Sequence, residues 1–261
     1  MSESLRPLAP LDSPALCLLL MAGYGGLEQT RRLLACCVRN GVEIVELCAP
    51  FPNAFTDGEV VRNAHSKALA RGTVWQDLLP LIREFSSSLH IVALVDYSHV
   101  FAREGNAPVL RALKQAGAAA VLPHGLPPRA REAFYATALE SGLPVVGTLY
   151  LSSPEPVRLR VLAQSGGFIY LVSRFGRSGG SASDSSQIHR EIARLKTLTS
   201  LPVALGFGLK SPSDVAQAYR QGADIAIIGS RACEVIAQAQ AQQECPEAAL
   251  ENYIRYLKRS E

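Results

Sequence analysis

The chain has 261 residues, 48% of them apolar and 19% charged, with a formal net charge of +3. That balance supplies ample core and excludes a disordered chain, and the small charge without a basic block argues against a nucleic-acid-binding protein. Six cysteines without a C-x-x-C pair fit free thiols in a reduced compartment, and residues 15–22 are too short an apolar run to span a bilayer and lack signal-peptide flanks, so a cytoplasmic, membrane-free protein is expected.

Short apolar runs recur along the chain at 16–22, 42–48, 91–97, 118–122, 145–149, 168–173, 202–206 and 224–229. Most are apolar at successive positions rather than alternating, as parallel strands buried on both faces are. Helical stretches separate them: 30–39, 60–70, 75–85, 109–115, 128–140, 156–164, 187–197, 212–220 and 247–257. A quasi-repeat marks the joints from helix to strand, at Asn40-Gly41-Val42, Ala116-Gly117-Ala118 and Gln221-Gly222-Ala223. Glycine there suits the left-handed residue that ends a helix. Eight such β–α units in one chain predict a single (β/α)8 TIM barrel over 1–261, with residues 1–14 as an N-terminal extension. An open doubly wound sheet is the alternative, but no G-x-G-x-x-G follows the first run; Gly23-Tyr24-Gly25-Gly26 stops short of it.

In such a barrel the site lies at the C-terminal ends of the strands. Three late strand ends carry glycines: Gly176–Gly180, Gly206-Phe207-Gly208 and Gly229-Ser230. Glycine lets backbone N–H groups approach an oxyanion, and a helix N-terminus adds partial positive charge. Gly229-Ser230 followed by Arg231–Ile236 reads as a helix start with Ser230 as N-cap, so a phosphate site is expected here. The Gly/Ser-rich run 174–186 is expected to be a mobile lid over it.

Glu46 lies at the C-terminal end of its apolar run, where a carboxylate among apolar walls has a raised pKa suited to proton transfer. Glu43, at the start of the same run, is expected to be solvated at the bottom of the barrel. Asp57 follows one loop later in Pro52–Gly58. His65, His90 and His189 fall on helices or strand entries and read as non-catalytic, whereas His99 and His124 lie near strand ends and can line the mouth. No two histidines have metal-ligand spacing, so no metal is expected.

Together these residues resemble the tryptophan synthase alpha subunit family. The resemblance rests on Val45-Glu46-Leu47-Cys48-Ala49-Pro50-Phe51 with Thr56-Asp57-Gly58, on Gly167–Arg174, on Leu205-Gly206-Phe207-Gly208-Leu209 and on Gly229-Ser230, in order and spacing over about residues 15–257. It implies a lyase that splits indole-3-glycerol phosphate, a small phosphorylated indole, into indole and glyceraldehyde 3-phosphate by a retro-aldol reaction without a cofactor. It implies Glu46 as general acid/base, Asp57 as partner of the indole N–H, and Tyr170 and Tyr97 as active-site tyrosines. Ser178 takes the place of a loop threonine that touches the aspartate. Gly179, Phe207, Gly208, Gly229 and Ser230 take the phosphate positions.

The departures fall elsewhere. Pro52-Asn53-Ala54 stands where the family has Ser-Asp-Pro, Glu59 where it has proline, and Pro123-His124-Gly125-Leu126-Pro127 where it has an acid-bearing Ala-Asp-Val-Pro. Arg177 and Arg231 occupy positions that are usually small or apolar. In the family, the two loops that lose acids face the beta subunit, so a possible beta-subunit partnership is expected to be altered. Two other readings stand beside the lyase: a non-catalytic modulator of a beta subunit, and a barrel lyase acting on a related phosphate ester.

Overall fold

The computed structural model describes residues 14–172, 182–206 and 208–259, with side chains described from residue 185 onward in the helix that opens at 182. Eight parallel strands form its centre: β1 (Ala15–Met21), β2 (Ile44–Cys48), β3 (His90–Asp96), β4 (Ala120–His124), β5 (Gly147–Tyr150), β6 (Ile169–Val172), β7 (Val203–Gly206) and β8 (Ile225–Ile228). Around them run α1 (Leu27–Arg39), α2 (Glu59–Ala70), α3 (Leu78–Phe85), α4 (Ala102–Glu104), α5 (Asn106–Ala116), α6 (Pro128–Ser141), α7 (Glu155–Gln164), α8 (Ala182–Leu198), α9 (Pro212–Arg220), α10 (Ser230–Ala241) and α11 (Pro246–Leu257). The expected barrel is therefore present, with every expected strand in place.

The strands hydrogen-bond in the order β4-β3-β2-β1-β8-β7-β6-β5. The ring closes between β4 and β5 through a single bridge, Val121 with Val145, where the Val121 N–H reaches Pro144 O at 2.8 Å and the Val146 N–H reaches Val121 O at 2.9 Å. Pairing stops there because Pro123, two residues further along β4, has no N–H to donate. The regular part of β5, which pairs with β6 from Gly147 onward, begins two residues after the expected residue 145.

Two apolar layers follow from the two-residue period of the strands. Cys17, Ile44, Val92, Ala120, Val146, Phe168, Ala204 and Ile225 pack together in the barrel interior. The alternate residues, such as Leu18, Val45, Ala93 and Leu171, pack outward against the helices. The glycine joints behave as expected: Gly41, Gly117 and Gly222, after α1, α5 and α9, are left-handed at φ 61°, 95° and 95°. A side chain at Gly117 would also sit 2.8 Å from Ser86. Cys17, Cys36, Cys37, Cys48 and Cys233 are buried free thiols and Cys245 is exposed. No helix among the described residues is long and apolar enough to cross a membrane.

Candidate active site

Because Ile44 points into the barrel, the strand period also turns Glu46 inward, one layer nearer the mouth. Glu46 is 1% exposed, and its Oε1 has no hydrogen-bond partner among the described residues. Burial pushes its carboxyl up to about 7. The same parity applies to β6, where Tyr170 follows Phe168 into the interior cluster. Burial first, and the Glu46 charge second, hold the Tyr170 phenol well above the ordinary tyrosine range, so it is a neutral hydroxyl. Gly206 makes room for that ring, since a Cβ there would lie 2.7 Å from Tyr170 Oη. Glu46 and Tyr170 therefore both face the barrel interior, with the Tyr170 hydroxyl against the end of β7.

Glu43 differs from expectation. It is half-buried, and its Oε2 accepts a 3.0 Å hydrogen bond from the Leu16 N–H. The carboxylate serves as an acceptor where the neighbouring strand begins.

Asp57 lies in the loop between β2 and α2. Its N–H donates to Ala54 O at 3.1 Å, and its own carbonyl accepts from Arg62 Nη1 at 2.6 Å. Its carboxylate Oδ2 is 3.3 Å from His65 Nε2, while the Phe51 N–H donates to His65 Nδ1 at 3.1 Å. The Phe51 ring lies 4.3 Å from the His65 ring and stacks on His124 at 4.9 Å. His65 was expected to be a non-catalytic helix residue; the structure joins it to the Asp57 carboxylate. The signal was present in the buried stripe Val61, Ala64, His65, Ala68, where an imidazole interrupts an otherwise apolar i, i+3, i+4, i+7 face.

A second polar cluster faces the same mouth. Asp96 and His124 are register partners at the ends of β3 and β4. Asp96 accepts from the His99 N–H at 2.9 Å, from His99 Nδ1 at 2.7 Å and from His124 Nδ1 at 3.0 Å. Burial alone would raise its carboxyl, but the hydrogen bonds from His124 and His99 outweigh it and hold Asp96 below its ordinary value. His124 Nε2 in turn lies 3.3 Å from Thr56 Oγ1. His99 and His124 thus occupy the strand-end positions expected of them, and Asp96, which the sequence reading passed over, is what joins them. Tyr97 is placed differently. As the residue after Asp96 it turns away from the interior cluster and packs on Phe101 and Phe134, each 6.3 Å away, in the strand–helix layer.

At the opposite side of the mouth, Gly208 (φ 84°) and Gly229 have nothing within 4 Å of where a Cβ would stand. Gly229 is the N-cap of the twelve-residue α10, so Ser230 is the first helical residue rather than the expected cap. The backbone N–H groups opening α10 are placed as an oxyanion cradle would need. Arg231 is committed elsewhere: its Nη1 is 3.0 Å from Glu234 Oε2, and its guanidinium lies 6.0 Å over the Tyr253 ring. Arg177, Ser178, Gly179 and Phe207, like most of the Gly/Ser-rich run, lie outside the described residues.

A family model described as the tryptophan synthase alpha chain matches residues 9–260. The tryptophan synthase alpha chain of Gloeobacter violaceus is 32% identical over 243 residues, covering 92% of this chain and 87% of that protein. The alpha chain of Zymomonas mobilis is 31% identical over 245 residues, covering 93% and 89%. Among solved structures, tryptophan synthase subunit alpha of Legionella pneumophila aligns with a TM-score of 0.82 at 21% identity, covering 94% of this chain and 91% of that one. The tryptophan synthase A-subunit of Pyrococcus furiosus aligns at 0.81 and 22% identity, covering 94% and 98%. These two structural matches carry the fold, and the sequence matches carry the family.

Proposed function

The chain belongs to the tryptophan synthase alpha chain family, a lyase family of tryptophan biosynthesis, and we propose that it cleaves indole-3-glycerol phosphate into indole and glyceraldehyde 3-phosphate as a cytoplasmic enzyme. The observation that carries this reading is Glu46: a buried carboxyl whose Oε1 has no hydrogen-bond partner among the described residues, with a value of about 7. Near neutral pH such a group is present in both protonation states, as a residue that must give and take protons requires.

The reaction needs no external oxidant or reductant. A proton is delivered to indole C3, the glycerol hydroxyl beside the scissile bond loses one, and the carbon–carbon bond electrons return to the ring as indole leaves. Glu46 is the group that moves protons between those two sites. Asp57 accepts a hydrogen bond from the indole N–H and opposes the positive charge that develops on the ring. The neutral Tyr170 hydroxyl is a donor beside Glu46. The N–H groups around Gly208, Gly229 and Ser230 hold the phosphate, anchoring one end of the substrate while the other reacts. The test is indole release from indole-3-glycerol phosphate by the purified chain. Turnover with glyceraldehyde 3-phosphate formed one-to-one supports the reading; bound substrate without turnover would favour a modulator, and no binding a different phosphate ester. The commitment of Arg231 to Glu234 and Tyr253 weakens the argument for a more anionic ligand.

For the beta subunit, a partner of this family, we propose weaker pairing. Asn53 is exposed at φ 61°, and His124 is occupied by Asp96 and Thr56, so neither offers the acid the family usually places there. The same loop exposes Phe55 at 82%, so it presents an aromatic ring rather than charge. A rim charge matters little, whereas loss of one partner of a buried pair costs about 2–5 kcal/mol. Sedimentation of the chain mixed with a beta subunit from its own source should show a transient complex, weakened at least tenfold by Phe55→Ser. Tight binding unaffected by Phe55→Ser, with strong mutual activation, would restore the ordinary subunit role.

A further inference from the structure

We propose that His65 is a positioning residue that fixes Asp57 relative to Glu46, an inference that rests on the lyase reading above. The three residues are connected through one short path. Glu46 is in β2; five residues later the same stretch of chain presents the Phe51 N–H, and that N–H donates to His65 Nδ1 at 3.1 Å. A ring nitrogen that accepts a hydrogen bond carries no proton, so the imidazole proton sits on Nε2. Nε2 is the atom 3.3 Å from Asp57 Oδ2. The backbone of the strand end therefore selects the tautomer, and the tautomer aims a donor at the carboxylate.

Burial makes this arrangement directional. His65 is 2% exposed and clamped by the Phe51 ring, 4.3 Å from its own, while the other hydrogen bonds of Asp57 among the described residues are made by its backbone, to Ala54 and Arg62. Among the described residues, His65 Nε2 is the hydrogen-bond partner of the Asp57 carboxylate. His65 engages Oδ2, and Oδ1, which has no hydrogen-bond partner among the described residues, is left to accept from the substrate N–H. His65 need not touch substrate to matter, because an ångström of freedom in a catalytic group costs up to about a hundredfold in rate.

The test compares wild type, His65→Ala and His65→Gln in indole release, and locates the imidazole proton by ¹⁵N NMR in wild type and Asp57→Ala. Glutamine can accept from Phe51 through its carbonyl and donate to Asp57 through its amide. Expected are a kcat about tenfold lower in His65→Ala with KM within about threefold, recovery to within about threefold of wild type in His65→Gln, and an Nε2–H resonance that shifts in Asp57→Ala. Wild-type kcat in His65→Ala, equal losses in both variants, or a proton on Nδ1 would each overturn the proposal. Should His65→Ala fail to fold, the glutamine variant and the wild-type NMR decide it. A wild type that releases no indole would instead sink the lyase reading, while the response of Nε2–H to Asp57→Ala still decides whether His65 holds the carboxylate.

Discussion

Replacing Glu46 with glutamine is expected to lower indole release about a hundredfold or more, the scale of losing a general acid/base group. The amide keeps the shape of the side chain in a site with 1% exposure but cannot exchange a proton near neutral pH. The matching stability result distinguishes this account from a packing defect. Burial lifts the Glu46 carboxyl from 4.5 to about 7. Between those values the folded state binds more protons than the unfolded one, so stability falls as pH rises through the window and levels off above it. The shift corresponds to about 3 kcal/mol. Denaturant unfolding of both proteins should therefore show the variant gaining on wild type by that amount from pH 4.5 to pH 7 and no further beyond. A variant retaining half the wild-type turnover would remove Glu46 from the mechanism. A pH-independent stability difference would remove the raised carboxyl.

The barrel was legible because its signals are local and repeated: buried strands, helical stretches and glycine at the joints. The departures have particular causes. Pro123 limits pairing across the last seam, which periodicity does not report. The wide turn Tyr97–Phe101 is organised by the Asp96 side chain, which accepts from the His99 N–H, and an acid at a strand end reads equally well as solvated. Glu46 could be found because a carboxylate inside an apolar run is unusual in one line of sequence. His65 could not be assigned to Asp57 the same way. Its partners, Phe51 and Asp57, lie 14 and 8 residues upstream, and only folding α2 back on the end of β2 brings them together. The parity that turns Asp96 and His124 to one mouth was available, but their pairing depends on β3 and β4 being in register.

The stability of the wall behind Tyr170 is expected to depend on Arg158. This arginine is 5% exposed in α7, with Nε 2.7 Å from Glu191 in α8 and Nη1 2.8 Å from Glu155. The Glu191 side chain is itself 12% exposed, so Arg158→Ala leaves a largely buried carboxylate without its cation. Breaking such a pair from one side costs about 3–5 kcal/mol, and for a chain of this size the midpoint of thermal unfolding should fall on the order of 10 °C. The comparison is Arg31→Ala. Arg31 and Glu84 are 2.9 Å apart but 46% and 43% exposed, so that loss should stay below about 1 kcal/mol despite a similar separation. Replacing Arg158 and Glu191 together with leucine should recover most of the stability, because the cost lies in the orphaned charge rather than in the absence of an attraction. If Arg158→Ala behaves like Arg31→Ala, Glu191 finds water or another cation on losing its partner, and the pair does not hold α7 to α8. If the double leucine variant is as unstable as Arg158→Ala, the arginine acts through the packing of its stem, and the charge is incidental to the barrel wall.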